Sequence, residues 1–186
     1  IISSALWQGK YPLNLRLILP LPLVKLIRVE LYELISDTGA EPVRVLLSPS
    51  HEVTVGVYDV ATGKTLYLKA GDPKDRYFTN VAWSPDERYV YIAKVNREQN
   101  HMWLEQYDAT TGAFMKVLFE ETNPRYVEPC EPMMFTPKGD QFLWFSMRDG
   151  YKHLYLYNLD GSLVKQATKG EYEVEEFIQF DRKGEN

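Results

Sequence analysis

Few side chains in this sequence have the types and spacing that chemistry requires. The three histidines, His51, His101 and His153, lie about 50 residues apart, and Cys130 is the single cysteine. No histidines have the i, i+4 spacing of a helical metal-binding pair, and one cysteine excludes a multi-cysteine zinc site and an intrachain disulfide. The motif Gly-x-Ser-x-Gly, which exposes a serine nucleophile on a strand–turn–helix elbow, does not occur in the 186 residues. We therefore expect no catalytic residue, metal site or cofactor site in this chain.

The individual reactive residues have plain structural explanations. Cys130 has no histidine near it in sequence, so a buried, unreactive thiol is the expected role. His153 lies in the apolar stretch Tyr151–Tyr157, which predicts a hydrogen-bonded structural histidine. The triplet Arg148–Gly150 matches an adhesion motif by its letters, but Asp-Gly between two apolar runs is typical of a tight turn between strands.

Composition narrows the class of protein. The 21 Lys+Arg and 26 Asp+Glu give a formal net charge of −5, which argues against a nucleic-acid-binding or membrane-surface role. A hydrophobic content of 45% supports a folded chain of one domain or two small ones. The aromatic content of 13% favours β-sheet structure, because aromatic side chains suit a half-buried pleated surface.

The first fifty residues differ from the rest of the chain. Leu, Ile and Val crowd the segment Leu13–Ile35, but prolines and charged residues interrupt it, so neither a membrane-spanning helix nor a signal peptide fits. Leucines alternate from Leu13 to Leu19 with the period of a strand, while Val24–Ile35 fits either a helix or a strand. The chain starts at Ile1 without a methionine, so we expect a piece of a longer protein.

Two sequence patterns recur along the remainder. The first is a strand that ends in tyrosine, followed by a polar turn with glycine at its end. It occurs at residues 53–63, 102–112 and 153–161, with the tyrosines at positions 58, 107 and 157. Alternating apolar residues before such a turn predict a β-hairpin.

The second pattern is an aromatic residue followed by Ser-Pro or Thr-Pro, a polar turn and an aromatic-rich strand. It occurs at Val81–Ile92 and Met133–Phe145, and its first part begins again at Ile178. A repeat of about 45–50 residues, with four short strands in each unit, is typical of β-propeller blades. The sequence therefore predicts an all-β fold built of four-stranded antiparallel blades.

From Val53 onward the repeats amount to one outer hairpin, two fuller blades and the start of another, and the first fifty residues would bring the total to about four blades. Propellers close with about 4 to 8 blades, so four could form a ring, but we expect this chain to belong to a larger one. Residues 51–186 are assigned to blades that continue beyond Asn186 in the parent protein. Residues 1–50 are left unassigned, with a divergent or partial blade as one alternative.

These patterns make residues 51–181 similar to the β-propeller domain of the dipeptidyl peptidase IV family, in the prolyl oligopeptidase group of serine peptidases, and most like its bacterial members. Two stretches carry the resemblance most specifically. Ser146–Tyr155 has the form Ser-x-x-Asp-Gly-Tyr-x-His-Leu-Tyr, and Thr168–Val174 has the form Thr-x-Gly-x-Tyr-Glu-Val. The sequence Trp83–Asp86 by itself indicates only that a blade is present.

The resemblance implies a parent enzyme that removes X-Pro or X-Ala dipeptides. Its propeller would cover an α/β-hydrolase domain, with the peptide substrate in the cavity between them. The Ser-His-Asp triad would belong to the hydrolase domain, so this chain alone is expected to be inactive and to gate and shape the cavity. The resemblance also implies a periplasmic or secreted location. The implied partners are the peptide and the hydrolase domain, with a second copy of the chain as a further candidate.

In this family the propeller supplies an acidic pair that binds the free amino terminus of the substrate. Neither Glu120-Glu121 nor Glu175-Glu176 is assigned to that role, because both lie where glutamates are usually solvated. The acidic pair is expected upstream of Ile1.

One loop is expected to face the substrate. In the family, the segment before the Glu-Pro-x-Phe strand extends the pocket around the second side chain of the substrate, and here that segment is Asn123–Pro129. Tyr126 would offer an aromatic wall, and Arg125 or Glu128 a polar contact. The alternative is an ordinary loop that connects two blades.

A different class of function is a non-enzymatic propeller that binds a protein partner, since the repeated turns would serve it equally well. A hydrolase domain with Gly-x-Ser-x-Gly after Asn186 would favour the peptidase, and its absence would favour the binding module. A small carbohydrate-binding sandwich is disfavoured by the repeat of about 50 residues.

Overall fold

A computed structural model describes residues 25–32, 52–72 and 76–180, which form eleven β-strands in three antiparallel sheets. The first sheet consists of β1 (Lys25–Tyr32), β2 (Glu52–Asp59) and β3 (Lys64–Tyr67). The second consists of β4 (Arg76–Trp83), β5 (Tyr89–Asn96), β6 (His101–Asp108) and β7 (Phe114–Thr122). The third consists of β8 (Met134–Phe135), β9 (Gln141–Ser146), β10 (His153–Asn158) and β11 (Leu163–Gln166). The predicted all-β fold of four-stranded antiparallel units is confirmed in the second and third sheets.

The first sheet lies in a compact unit of its own, which ends at Tyr67. Its strands are ordered β1-β2-β3. For Val24–Ile35 the sequence fits either a helix or a strand, and the structure shows a strand over residues 25–32. The predicted β2–β3 hairpin is also present. Asp59 closes its turn by accepting the backbone N–H groups of Ala61 (2.9 Å) and Thr62 (3.0 Å) on Oδ1. The other predictions for residues 1–50 lie outside the described residues.

The second and third sheets belong to a second compact unit, which begins at Leu68. Neighbours in each sheet are also neighbours in sequence, with the orders β4-β5-β6-β7 and β8-β9-β10-β11. In each of these meanders a Ser-Pro or Thr-Pro turn joins the first strand to the second. The Ser84 hydroxyl donates to Asp86 (2.6 Å), and the Thr136 hydroxyl donates to Asp140 (3.0 Å). The hydrogen bond from Ser84 holds the pKa of Asp86 below its usual value, so this turn is stabilised by the ionised carboxylate.

The core lies between these two sheets. Alternate residues of β6 and β9 point into it, including the fully buried Leu104, Phe142 and Trp144. Phe119 of β7 stacks on Tyr157 of β10 with the ring centroids 4.4 Å apart, and its ring edge meets Trp144 at 5.6 Å. Burial of large aromatic side chains is the main force that joins the sheets face to face.

Buried tyrosine in this core makes stability depend on pH in the alkaline range. Tyr91 is 2% exposed and accepts a hydrogen bond from Gln106 Nε2 (3.1 Å). Burial, helped by the charges of Asp86 and Tyr89, raises the pKa of Tyr91 to about 12. An unfolded tyrosine has a pKa of about 10, so its contribution to stability is complete below pH 10 and is lost as the pH rises towards 12.

We therefore expect Tyr91→Phe to reduce the alkaline loss of stability. At pH 11.5, Tyr91 ionises when the wild-type protein unfolds, which should lower its free energy of unfolding by about 2 kcal/mol. The variant should not show this loss. Urea unfolding of both proteins at pH 8 and pH 11.5 measures this difference, with pH 8 as the reference for the lost hydrogen bond. Equal losses in the two proteins would contradict the assignment.

The strand directions place three connections on one side of this unit. Because neighbouring strands are antiparallel, the β5–β6 turn, the β7–β8 connection and the β9–β10 turn leave at the same end of the sheets. A hydrogen bond of 2.9 Å from Ser146 Oγ, at the end of β9, to Glu121, near the end of β7, shows that the ends meet. We call this side the loop edge.

Candidate functional site

The β7–β8 loop, residues 123–133, carries all three residues that the sequence predicts to contact substrate. It crosses the loop edge from the second sheet to the third. The backbone N–H of Asn123 donates to Asn100 O (3.0 Å), and that of Val127 donates to Gln99 O (2.7 Å). The Val127 side chain packs against the core, so the middle of the loop is held to the sheets at one position.

The β5–β6 turn presents the carbonyl groups that receive this loop. Asn96 Oδ1 accepts the backbone N–H groups of Asn100 (3.0 Å) and His101 (2.9 Å), which closes the turn. Gln99 has a φ of +57°, a conformation that non-glycine residues seldom adopt. The carbonyl of this residue accepts the Val127 N–H, so the loop is hydrogen-bonded to a turn with an unusual backbone conformation.

Arg125, Tyr126 and Glu128 are all exposed, and Tyr126 exposes 53% of its surface. The Arg125 backbone N–H donates to the Asn123 side chain (2.9 Å), which turns the chain at the start of the loop. Among the described residues, the side chains of Arg125, Tyr126 and Glu128 have no hydrogen-bond or ion-pair partner. One aromatic ring and two opposite charges are thus displayed together and remain available to a ligand, although their substrate contact stays a prediction.

A partly buried ion pair lies where β7 enters this loop. The Glu121 side chain is 11% exposed, and its carboxylate accepts hydrogen bonds from Arg148 Nη2 (2.5 Å) and Ser146 Oγ (2.9 Å). Arg148 also donates through Nε to Ser146 Oγ (3.0 Å) and through Nη2 to the Tyr157 hydroxyl (2.5 Å). Its guanidinium carbon lies 4.3 Å from the centre of the Tyr155 ring. Together these groups form the Glu121–Arg148 cluster.

The charges of this cluster depend on one another. Burial by itself would lower the pKa of Arg148, but the Glu121 carboxylate and the Tyr157 hydroxyl reverse that effect and raise the pKa above its usual value. Arg148 therefore keeps its charge although only 32% of its side chain is exposed to solvent. The planar guanidinium suits this place, because it bonds several partners at once while stacking on an aromatic ring.

The sequence analysis did not predict this cluster. Glu120 is 51% exposed and bonds His101 (2.7 Å), as expected for a solvated strand residue, but the same expectation is wrong for Glu121. Phe119, two residues before Glu121, packs against the core, but Leu118, two residues before Glu120, is buried as well. The register of β7 shifts at this point, so strand alternation in the sequence does not separate the two glutamates. Residues 148–150 form the predicted tight turn, with Gly150 at a φ of +99°.

A second set of contacts holds the other end of the loop. The Glu131 carbonyl accepts from Asn80 Nδ2 (2.9 Å), and its carboxylate accepts from Lys152 Nζ (3.2 Å). Cys130 donates a weak hydrogen bond to Glu128 O (3.4 Å), and burial raises the pKa of its thiol. A half-buried thiol with a raised pKa is a poor nucleophile, in agreement with the structural role expected of Cys130.

His153 has the structural role that the sequence predicts. It is fully buried, and its two ring nitrogens lie 3.0 Å from Thr168 Oγ1 and 3.0 Å from Gly170 O. The ring edge of Tyr172 covers it at 5.2 Å between centroids. His153 therefore ties β10 to the segment after β11 and is not available to a ligand.

Two kinds of feature are absent from the part of the chain that the structure describes. No group of three or more His, Cys, Asp or Glu side chains there could hold a metal ion. Nor does any helix there have the length and apolar character that crossing a bilayer requires.

Repeated four-stranded meanders that pack face to face, each with a hydroxyl–carboxylate hydrogen bond in the turn between its first two strands, define this protein as a β-propeller built of antiparallel blades. The sequence model of one family, described as the dipeptidyl peptidase IV (DPP IV) N-terminal region, matches residues 48–186. The chain belongs to this family, and the resemblance inferred from residues 51–181 is confirmed.

Individual relatives agree with this assignment. A Bacteroides ovatus protein described as a dipeptidyl aminopeptidase IV is 41% identical in sequence over 86% of this chain. Its crystal structure matches the chain with a TM-score of 0.72. The structure of Porphyromonas gingivalis dipeptidyl peptidase 4, 21% identical over 87% of this chain, has the same fold with a TM-score of 0.66. Dipeptidyl peptidase 4 of Sus scrofa is 31% identical over 110 residues, which are 54% of this chain. The chain spans 27%, 25% and 14% of the lengths of these three proteins, so it corresponds to one part of each.

Proposed function

We propose that this chain is the propeller portion of a DPP IV-like serine exopeptidase that releases X-Pro or X-Ala dipeptides. The family membership of residues 48–186 carries the proposal. The 41% identity to the Bacteroides ovatus protein over 86% of the chain supports it further. In this proposal the catalytic triad and the acidic pair for the substrate's amino terminus belong to other parts of the protein, which is secreted or periplasmic.

The role proposed for this chain is to gate and shape the substrate cavity at the loop edge. The support comes from the β7–β8 loop, which displays Arg125, Tyr126 and Glu128 with no side-chain partner among the described residues. An exposed aromatic ring beside charges of both signs suits a peptide, whose backbone and side chains offer both apolar and polar surface. The loop would thereby orient the peptide relative to a triad supplied by the hydrolase domain.

Hydrolysis of a chromogenic Gly-Pro amide tests the proposed activity. The full-length protein should release the chromophore, whereas residues 1–186 alone should release none, because they lack a Gly-x-Ser-x-Gly nucleophile. The same amide with an acetylated amino terminus is the control, and an exopeptidase should leave it intact. Failure of a folded full-length protein to cleave the free amide would overturn the proposal and favour the binding module.

A further inference from the structure

We propose that Glu121 and Arg148 are positioning residues that hold the β7–β8 loop in the arrangement needed to bind the peptide. This inference rests on the proposed function, because it assigns the loop a substrate to orient. The two side chains come from different sheets and form their contact at the base of the loop, two residues before it begins. Neither residue needs to touch the peptide.

The geometry makes Glu121 the link between the loop and the third sheet. Its carboxylate uses one oxygen for Arg148 and the other for Ser146, and both partners lie at or just beyond the end of β9. Without these bonds, the end of β7 would be free to move away from β9, and Asn123 would move with it. A loop that changes sheets at this point depends on the distance between those two strand ends.

Arg148 is itself held in a single orientation. Its donors reach Glu121, Ser146 and Tyr157, and the guanidinium packs over the Tyr155 ring. Tyr155 and Tyr157 belong to β10, whose side chains are packed in the core. The base of the loop is therefore connected through Arg148 to side chains of the core. A lysine would keep the charge but could not maintain these contacts together.

The remaining tethers do not replace this cluster. Between Asn123 and Cys130 the backbone bonds to the sheets are those of Asn123 and Val127 to the β5–β6 turn, which belongs to the second sheet. The contacts of Glu131 with Lys152 and Asn80 hold only the far end. Loops with few buried contacts open locally at low free energy. Loss of the Glu121–Arg148 cluster should therefore increase local opening of the loop without unfolding of the blade.

Hydrogen exchange of the full-length protein is the direct test of anchoring. In Arg148→Met and Glu121→Gln, the hydrogen-bonded amides of Asn123 and Val127 should exchange about tenfold faster than in wild type, while the amides of β6 and β9 stay protected. Glu120→Gln is the matched control. It removes a carboxylate from the adjacent residue, whose side chain bonds His101 and takes no part in the Glu121–Arg148 cluster. The double variant should exchange no faster than either single variant, because the two residues act as one unit.

Steady-state kinetics of the same proteins tests whether anchoring serves substrate binding. Both single variants should raise KM for a Gly-Pro peptide amide about three- to tenfold and change kcat less than twofold, since the reacting groups lie elsewhere. Tyr126→Ala should also raise KM but leave the exchange of the loop backbone unchanged, because its exposed ring supports no other residue.

The outcomes separate the two proposals. Unchanged exchange in Arg148→Met and Glu121→Gln would overturn the anchoring role, whatever the kinetics. Faster exchange with unchanged KM would overturn the link to substrate binding while leaving the peptidase activity standing. A wild-type protein that cleaves no Gly-Pro amide would overturn the proposed function and this role in binding with it, while the exchange data would still decide whether the cluster anchors the loop.

Discussion

Gly161→Ala is expected to lower the free energy of unfolding by about 3 kcal/mol or more, because the new side chain would strike the backbone of the neighbouring sheet. Gly161 lies in the turn between β10 and β11, and a Cβ built on it would lie 1.9 Å from Leu118 O and 2.5 Å from Leu118 C. Leu118 is part of β7, whose backbone cannot retreat without breaking the second sheet. The turn must therefore shift, and with it the contact of Lys116 with the carbonyl groups of Leu159 and Asp160 (3.4 Å each).

Gly150→Ala is the control that isolates this contact. Gly150 has a φ of +99° and Gly161 a φ of +97°, so alanine meets the same backbone strain at both positions, of about 1–2 kcal/mol. Of these two glycines, Gly161 has atoms within 4 Å of the added carbon and Gly150 has none. Urea unfolding of the two variants should give a larger loss for Gly161→Ala. Equal losses would show that the third sheet does not press on β7 at this turn.

Lys94→Met is expected to destabilise the protein by about 3 kcal/mol, because it leaves a buried carboxylate without its main cation. The Glu105 side chain is 4% exposed, and its two oxygens bond Lys94 Nζ and the Tyr107 hydroxyl. Burial and this bond to a carboxylate both raise the pKa of Tyr107, so its proton stays in place to donate. Lys94 also lies 5.0 Å above the Trp103 ring, which methionine would still cover.

A second substitution separates the charge from the packing. Lys94→Met combined with Glu105→Leu removes both charges, and it should be more stable than Lys94→Met alone, although the Tyr107 hydroxyl then loses its acceptor. Glu120→Gln, in an exposed pair with His101, should cost less than about 1 kcal/mol. Chemical denaturation of the three variants measures these differences. A double variant less stable than Lys94→Met would show that packing of the Glu105 side chain, and not its charge, controls stability here.

Much of the fold followed from short-range pattern. Alternating valines in β2 and aromatic-rich runs in β5 and β9 specify strands, and Asp59 and Asp108 each bond backbone N–H groups two and three residues ahead. Such turns form from neighbours in sequence, so the hairpins and the repeat could be predicted without any knowledge of tertiary contacts. The position of the candidate loop was predictable for the same reason, because it is the connection between two repeats.

From β2 onward, the sequence by itself thus determined the strand-rich repeat, its turns and the loop that carries Tyr126. Only the tertiary structure decided which carboxylates are paired away from solvent, as those of the buried Glu105 and the partly buried Glu121 are, and which glycine touches another sheet. Glu121 and Arg148 lie 27 residues apart and meet because two sheets pack at a particular distance and offset. Strand alternation assigns a side chain to one of two faces, but it does not encode the spacing between faces, which is set by the large aromatic residues that fill the core.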